Sequence, residues 1–140
     1  MTKAVYVGRH QLLQLQEQAL GELGIAIVRR IENLPTEPAA LARELEQLQR
    51  EGVEAVVTVA LPPHLLAAIS QRFATFVFEM KSVTFQSLEE AEKWIAERPE
   101  ARTYLPGRPG EPVRGLEFTC INRVKVIVES ERVWPQSASQ

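Results

Sequence analysis

The sequence predicts an α/β fold: one domain over residues 1–135, built on a mainly parallel sheet with helices on both faces. Three observations predict it. Short apolar runs alternate with amphipathic stretches, glycines and prolines punctuate them, and the run Ala55-Val56-Val57-Thr58-Val59-Ala60 is apolar or small on both faces. Parallel strands covered by helices on either side have that composition.

Each element follows from local pattern. Ala4-Val5-Tyr6-Val7 is a β-forming run that stops at Gly8 and reads as a central strand. Leu12, Leu13, Leu15, Ala19, Leu20 and Leu23 then fall near helical spacing, and Gly24 supplies the stop. Ile25-Ala26-Ile27-Val28, extending to Ile31, is the second strand. Thr36 is the expected cap of the next helix, with Pro38 in its first turn, Leu41, Leu45 and Leu48 on one face, and Gly52 at its end. Leu61-Pro62-Pro63 breaks the third strand, and Pro63 opens a helix through Leu65, Leu66 and Ile69. Thr75-Phe76-Val77-Phe78 is the fourth strand. Ser87-Leu88-Glu89-Glu90 is a capping box for a helix to about Arg98, with Leu88, Ala91, Trp94 and Ile95 facing inward.

The C-terminal third is patterned differently. Pro99 to Gly115 holds four prolines and three glycines, so an extended loop is expected, acting as a lid or a docking arm. Leu116 to Val133 is rich in β-branched residues and predicts a β-hairpin turning near Asn122-Arg123, or else one long strand. Residues 136–140 have the composition of a frayed tail.

Composition excludes several function classes. At 140 residues, 45% hydrophobic, the chain can bury a core without disulfides or a structural metal. A formal charge of −2 lacks the global basic field expected of a protein that coats long DNA or RNA. No apolar run approaches the roughly 20 residues of a membrane span, and no basic-then-apolar leader is seen, so no membrane association and a cytoplasmic location are expected. Cys120, the single cysteine, permits neither an internal disulfide nor a cysteine-rich zinc site and is expected to be buried packing. Arg98, Arg102, Arg108, Arg114, Arg123 and Lys125 crowd the last third and are read as solvated surface.

In an open α/β sheet the ligand crevice lies beyond the carboxyl ends of the strands. That rule selects Gly8, Arg9 and His10 after the first strand, Arg30, Glu32 and Asn33 around the end of the second, Leu61, Pro62, Pro63 and His64 after the third, and Lys81, Ser82 and Thr84 after the fourth. Gly8-Arg9-His10 weighs most: glycine admits close backbone approach, arginine offers a fork for phosphate, and histidine moves protons near neutral pH. The alternative is that Gly8 merely ends the strand while Arg9 and His10 start a solvated helix. His64, in a helix's first turn, is read as a surface histidine.

There is no GxGxxG, no GxxxxGKS/T loop and no GxSxG elbow, which removes support for dinucleotide enzymes, P-loop NTPases and α/β-hydrolases. Two histidines without a clear carboxylate partner predict no metal site, and no cofactor is expected. Glu32, Glu37 and Glu79 are read as a turn residue, a helix-start charge and a strand-end residue.

An opening strand leading into Arg9-His10, a second β/α unit, and a strand ending in Ala60-Leu61-Pro62 before an Ala-rich helix together resemble small stand-alone CRISPR-associated proteins of the Csx type, over roughly residues 4–80. The resemblance implies a Rossmann-like, CARF-like domain that pairs as a homodimer. It implies a ring nuclease, a metal-independent phosphodiesterase that binds and cleaves a cyclic oligoadenylate messenger in antiviral defence. Arg9 and His10 would then sit at the phosphates, with Leu61-Pro62-Pro63 shaping the pocket wall. Two other functions stay open: a sensor of the same fold that binds a nucleotide without cleaving it, and an accessory protein that docks on a partner through the Pro99–Gly115 loop.

Overall fold

The computed structural model describes residues 1–136; of the expected tail, residues 137–140 lie outside the described part. Four β/α units come first: β1 (Thr2–Val7), α1 (Gln14–Glu22), β2 (Ile25–Ile31), α2 (Pro38–Arg50), β3 (Ala55–Thr58), α3 (Pro63–Ser70), β4 (Ala74–Phe85) and α4 (Leu88–Glu97). Two strands follow, β5 (Arg102–Leu105) and β6 (Val113–Val124). All six form one mixed sheet in the order β2-β1-β3-β4-β6-β5. β1 to β4 run parallel, as the sequence predicts, whereas β6 is antiparallel to β4 and β5 antiparallel to β6.

Alternation along the strands divides the core in two. Val5, Val7 and Val56 meet Leu41, Leu45 and Leu48 of α2 and Leu65 and Ile69 of α3 on one face. Ala4, Tyr6, Ala55, Val57 and Phe78 meet Leu20 of α1 and Phe118 of β6 on the other. Helices therefore cover both faces. No helix among the described residues is long and apolar enough to cross a membrane.

Several expectations are corrected. The cap of α2 is Glu37, not Thr36: its carboxylate accepts from the Ala39 and Ala40 N–H groups at 3.1 and 2.8 Å, which satisfies two free donors and places negative charge at the helix start. Ser87 caps α4 as predicted, but Leu88 is 44% exposed, since the helix buries Ala91 and turns Trp94 toward the sheet. Arg9 and His10 start no helix; α1 begins at Gln14, after a loop whose Leu12 and Leu13 pack on the second core cluster.

The larger corrections concern the C-terminal third. β4 does not stop at Phe78 but continues to Phe85, because β6 pairs with it from Thr75↔Val124 to Phe85↔Val113. No hairpin turns at Asn122-Arg123: β6 is one long strand, and it ends at Val124 because β4 begins at Ala74 and offers nothing further to pair with. The expected loop over 99–115 contains β5. Its prolines stand at 99, 106, 109 and 112, leaving Arg102-Thr103-Tyr104-Leu105 with every N–H needed for a ladder, and these residues pair with Arg114 to Glu117.

α4 and Trp94 secure this extension. A Cβ at Gly115 would lie 2.7 Å from the Trp94 ring and 2.8 Å from Phe85, so only glycine lets the strand pass beneath the two rings. Arg102 stacks on Trp94 at 4.5 Å and donates to Glu117 at 2.7 Å. That bond holds the Glu117 carboxyl below the usual carboxylate range.

Candidate functional site

β1 and β3 end at Val7 and Thr58, while β4 runs on from Val77, its last partner to β3, to Phe85 with β6 beside it. The resulting step leaves a cleft of about 550 Å³ at the carboxyl ends of the parallel strands, within the ordinary range for small-molecule sites. Gly8, Arg9 and His10, with Glu32 and Asn33 after β2, form one wall; Val59, Ala60 and Leu61 after β3 form the back. Phe78 and Met80 of β4, Leu116 and Arg114 of β6 and Leu105 of β5 form the opposite wall.

The first wall is built from the buried strand outward. Gly8 extends the β1–β2 ladder, its N–H donating to the Ile31 carbonyl at 2.9 Å, and the Thr58 hydroxyl donates to the Val7 carbonyl at 2.8 Å. A Cβ at Gly8 would meet the Tyr6 hydroxyl at 2.8 Å, so the turn accepts no larger residue without moving a buried ring. Burial raises the Tyr6 phenol above its ordinary pKa, against the opposing charge of Arg30. Arg30 lies 5.8 Å from the Tyr6 ring centroid and donates to the carbonyls of both Gly8 and Arg9. Arg9 in turn donates to Asn33 Oδ1 at 3.2 Å. Arg30 and Asn33 thus orient the loop and its arginine, while His10 stands exposed at the rim.

The sequence-predicted residues separate accordingly. Gly8, Arg9, His10, Asn33 and Leu61 line the cleft. Arg30 braces it from behind, its guanidinium taken up by loop carbonyls. Pro62 is the cap residue of α3, and Pro63 and His64 form its first turn, outside the lining. Lys81 pairs with Glu117, and since alternate residues face opposite ways it lies on the face of β4 away from Phe78 and Met80. Ser82 lies on the cleft face and acts indirectly, accepting from Arg114 Nε at 2.7 Å.

Sequence reasoning missed Tyr6, Arg114 and the apolar wall, and it placed Glu32 at the strand-end edge but read it as a turn residue. Glu32 was legible from its place beside Asn33 at a strand end. Arg114 was not, since its position depends on the register of β6 on β4. The crowd of basic residues around it divides in the structure: Arg98 and Arg102 pair with Glu117, and Arg114 turns to the cleft.

The cleft combines two arginines and a histidine with one carboxylate and an apolar wall, a set that accepts an anionic ligand with an apolar or aromatic portion. Among the described residues, no three His, Cys, Asp or Glu side chains gather where they could hold a metal ion. Cys120 is half-buried rather than buried: its thiol donates to Glu79 Oε2 at 3.2 Å, which raises the thiol and lowers the carboxyl. A thiol shifted upward is a poor nucleophile near neutral pH. Comparison with protein-family models, with curated proteins and with solved structures returns no match.

Proposed function

We propose that this chain is a Rossmann-like, CARF-like nucleotide-binding enzyme, a ring nuclease that binds a cyclic oligoadenylate and cleaves it without a metal, in cytoplasmic CRISPR-associated antiviral signalling. The observation that carries the reading is that Arg9 and His10 share one cleft at the strand ends, with Arg9 already oriented by Asn33 and by a braced loop.

The chemistry needs little machinery. A ribose 2′-oxygen attacks its own 3′-phosphorus, the bond from phosphorus to the next 5′-oxygen breaks, and a 2′,3′-cyclic phosphate and a free 5′-hydroxyl result. The proton leaves the 2′-hydroxyl and is returned to the 5′-oxygen, the transfer assigned to His10. Arg9 stabilises the charge that gathers on the phosphoryl oxygens. Arg30 is bound to loop carbonyls and Lys81 lies beside Glu117, so neither joins Arg9 at the reacting phosphate. In a homodimer, two such clefts about a two-fold axis suit a cyclic ligand.

A second reading is a sensor that binds without cleaving. It is favoured by the contrast between Arg9, tethered to Asn33, and His10, exposed at the rim: the binding half of the site is organised and the proton-transfer half is not. Incubation with cyclic tri-, tetra- and hexa-adenylate in EDTA tests both. Cleavage abolished by His10→Ala with binding retained supports the enzyme. Binding that is lost with Arg9→Ala, with no turnover by the unaltered chain, supports the sensor, and the absence of both activities overturns the nucleotide reading.

A further inference from the structure

We infer that the ligand of this cleft carries two phosphate groups, one held at Arg9 and one at Arg114, with a nucleoside between them on the apolar wall. This rests on the nucleotide reading and specifies what each chain grips.

Two cations could share a single phosphate if both were free to swing toward it. Neither is. Arg9 is tied by its terminal nitrogen to Asn33 at 3.2 Å, on the β2 side of the cleft. Arg114 is tied through Nε to Ser82 at 2.7 Å, on the β4–β6 side. The strand order places β3 and β4 between β1 and β6, so β1, which the Arg9 loop follows, and β6, which carries Arg114, are three spacings, roughly 14 Å, apart in the sheet. The Asn33 tether draws Arg9 toward β2, away from β4, and the Ser82 tether holds Arg114 over β4.

Both side chains are exposed, and neither takes part in an ion pair among the described residues. The Ser82 bond uses Nε and leaves both terminal nitrogens of Arg114 free to bind an anion in the two-point geometry arginine favours. Between β1 and β6 the strand β4 presents the apolar Phe78 and Met80, and Leu116 of β6 and Leu105 of β5 continue that surface beside Arg114. An apolar stretch flanked by anion donors matches a purine nucleoside with phosphate on both its 3′ and 5′ sides. That is the repeating unit of an oligonucleotide and not a free mononucleotide.

The test is calorimetric binding of adenosine 5′-monophosphate, adenosine 3′-monophosphate and adenosine 3′,5′-bisphosphate to the full chain and to Arg9→Ala, Arg114→Ala and Arg114→Lys. The bisphosphate is expected to bind at least about tenfold more tightly than either monophosphate, as a further charge-assisted contact requires. Arg114→Ala should erase that preference, and Arg114→Lys should restore part of it. Arg114 is exposed, so equal thermal melts of variant and parent will show that the fold is kept. Equal affinity for mono- and bisphosphates, or a preference that survives Arg114→Ala, overturns the two-phosphate inference and leaves the nucleotide reading standing. Failure of all three nucleotides to bind the unaltered chain overturns the two-phosphate inference, and the cyclic adenylates decide the nucleotide reading separately.

Discussion

The two halves of this molecule are held together by different physics. In the first, β1 and β3 are buried on both faces beneath α1, α2 and α3, and their outward ladders are parallel. In the second, β4 and β6 form a long antiparallel ladder, covered by α4 and anchored by a ring pair, a stacked arginine and the Arg102–Glu117 ion pair. The first half is fixed by apolar burial, which tolerates changes of shape poorly but needs no particular partner. The second depends on specific pairings between residues far apart in sequence. The cleft lies at their junction, so its two walls inherit the two regimes.

The largest effect is expected where the halves meet. Phe78 is buried, with Tyr6 at 6.4 Å on one side and Phe118 at 5.4 Å on the other. Phe78→Ala should cost about 4 kcal/mol. If the halves are one cooperative unit, urea unfolding will show a single shifted transition; two separated transitions would show that Phe78 couples units able to unfold apart.

Gly115→Ala probes the second half alone. The new Cβ would stand 2.7 and 2.8 Å from the Trp94 and Phe85 rings, and overpacking of this kind costs about 2 kcal/mol. Hydrogen exchange should quicken in β5, β6 and α4 while β1 and β3 keep their protection. Uniform loss across the sheet would erase the distinction between the halves.

The smallest effect is set by pH. Glu117 has its carboxyl lowered by the Arg102 hydrogen bond, so the unfolded chain takes up its proton first as pH falls. The stabilisation is fully present above the ordinary glutamate pKa of about 4.3 and is lost as pH drops through the lower folded value. Exchange in β5 and β6 should therefore accelerate below about pH 4, and Glu117→Gln should flatten that dependence. An unchanged acid profile in the variant would remove the ion pair from the account of the second half.

What could be read from the sequence follows the same division. Val5, Val56 and Leu45 announce themselves locally, because burial on a strand or a helix face imprints a period on the chain. So the four parallel units, their order of appearance and the candidate edge with Gly8, Arg9 and His10 were all legible. β5 was not: Arg102 to Leu105 become a strand because β6 is there to receive them, and the flanking prolines gave the opposite signal. Arg114 was hidden for the same reason. Arg30 was legible as a strand-end cation, yet its engagement with the Gly8 and Arg9 carbonyls depends on the packing of two neighbouring loops, which no spacing encodes.

Between Glu79 and Met80 the ladder slips: Glu79 faces Cys120, but Met80 faces Phe118, so β6 spends one residue more than β4 at that point. Strands alternate with a period of two, and one residue inverts everything beyond it. The bulge is what turns Leu116 and Arg114 to the cleft and Gly115 and Glu117 to α4. With every residue kept but the slip absent, Glu117 would face Ser82 and Arg114 would face Phe85, replacing a cationic wall by an acidic one while leaving every strand in place. The charge on this wall therefore depends on where the extra residue is accommodated as much as on residue identities: the same sequence paired without the slip would present the opposite charge from an otherwise unchanged scaffold.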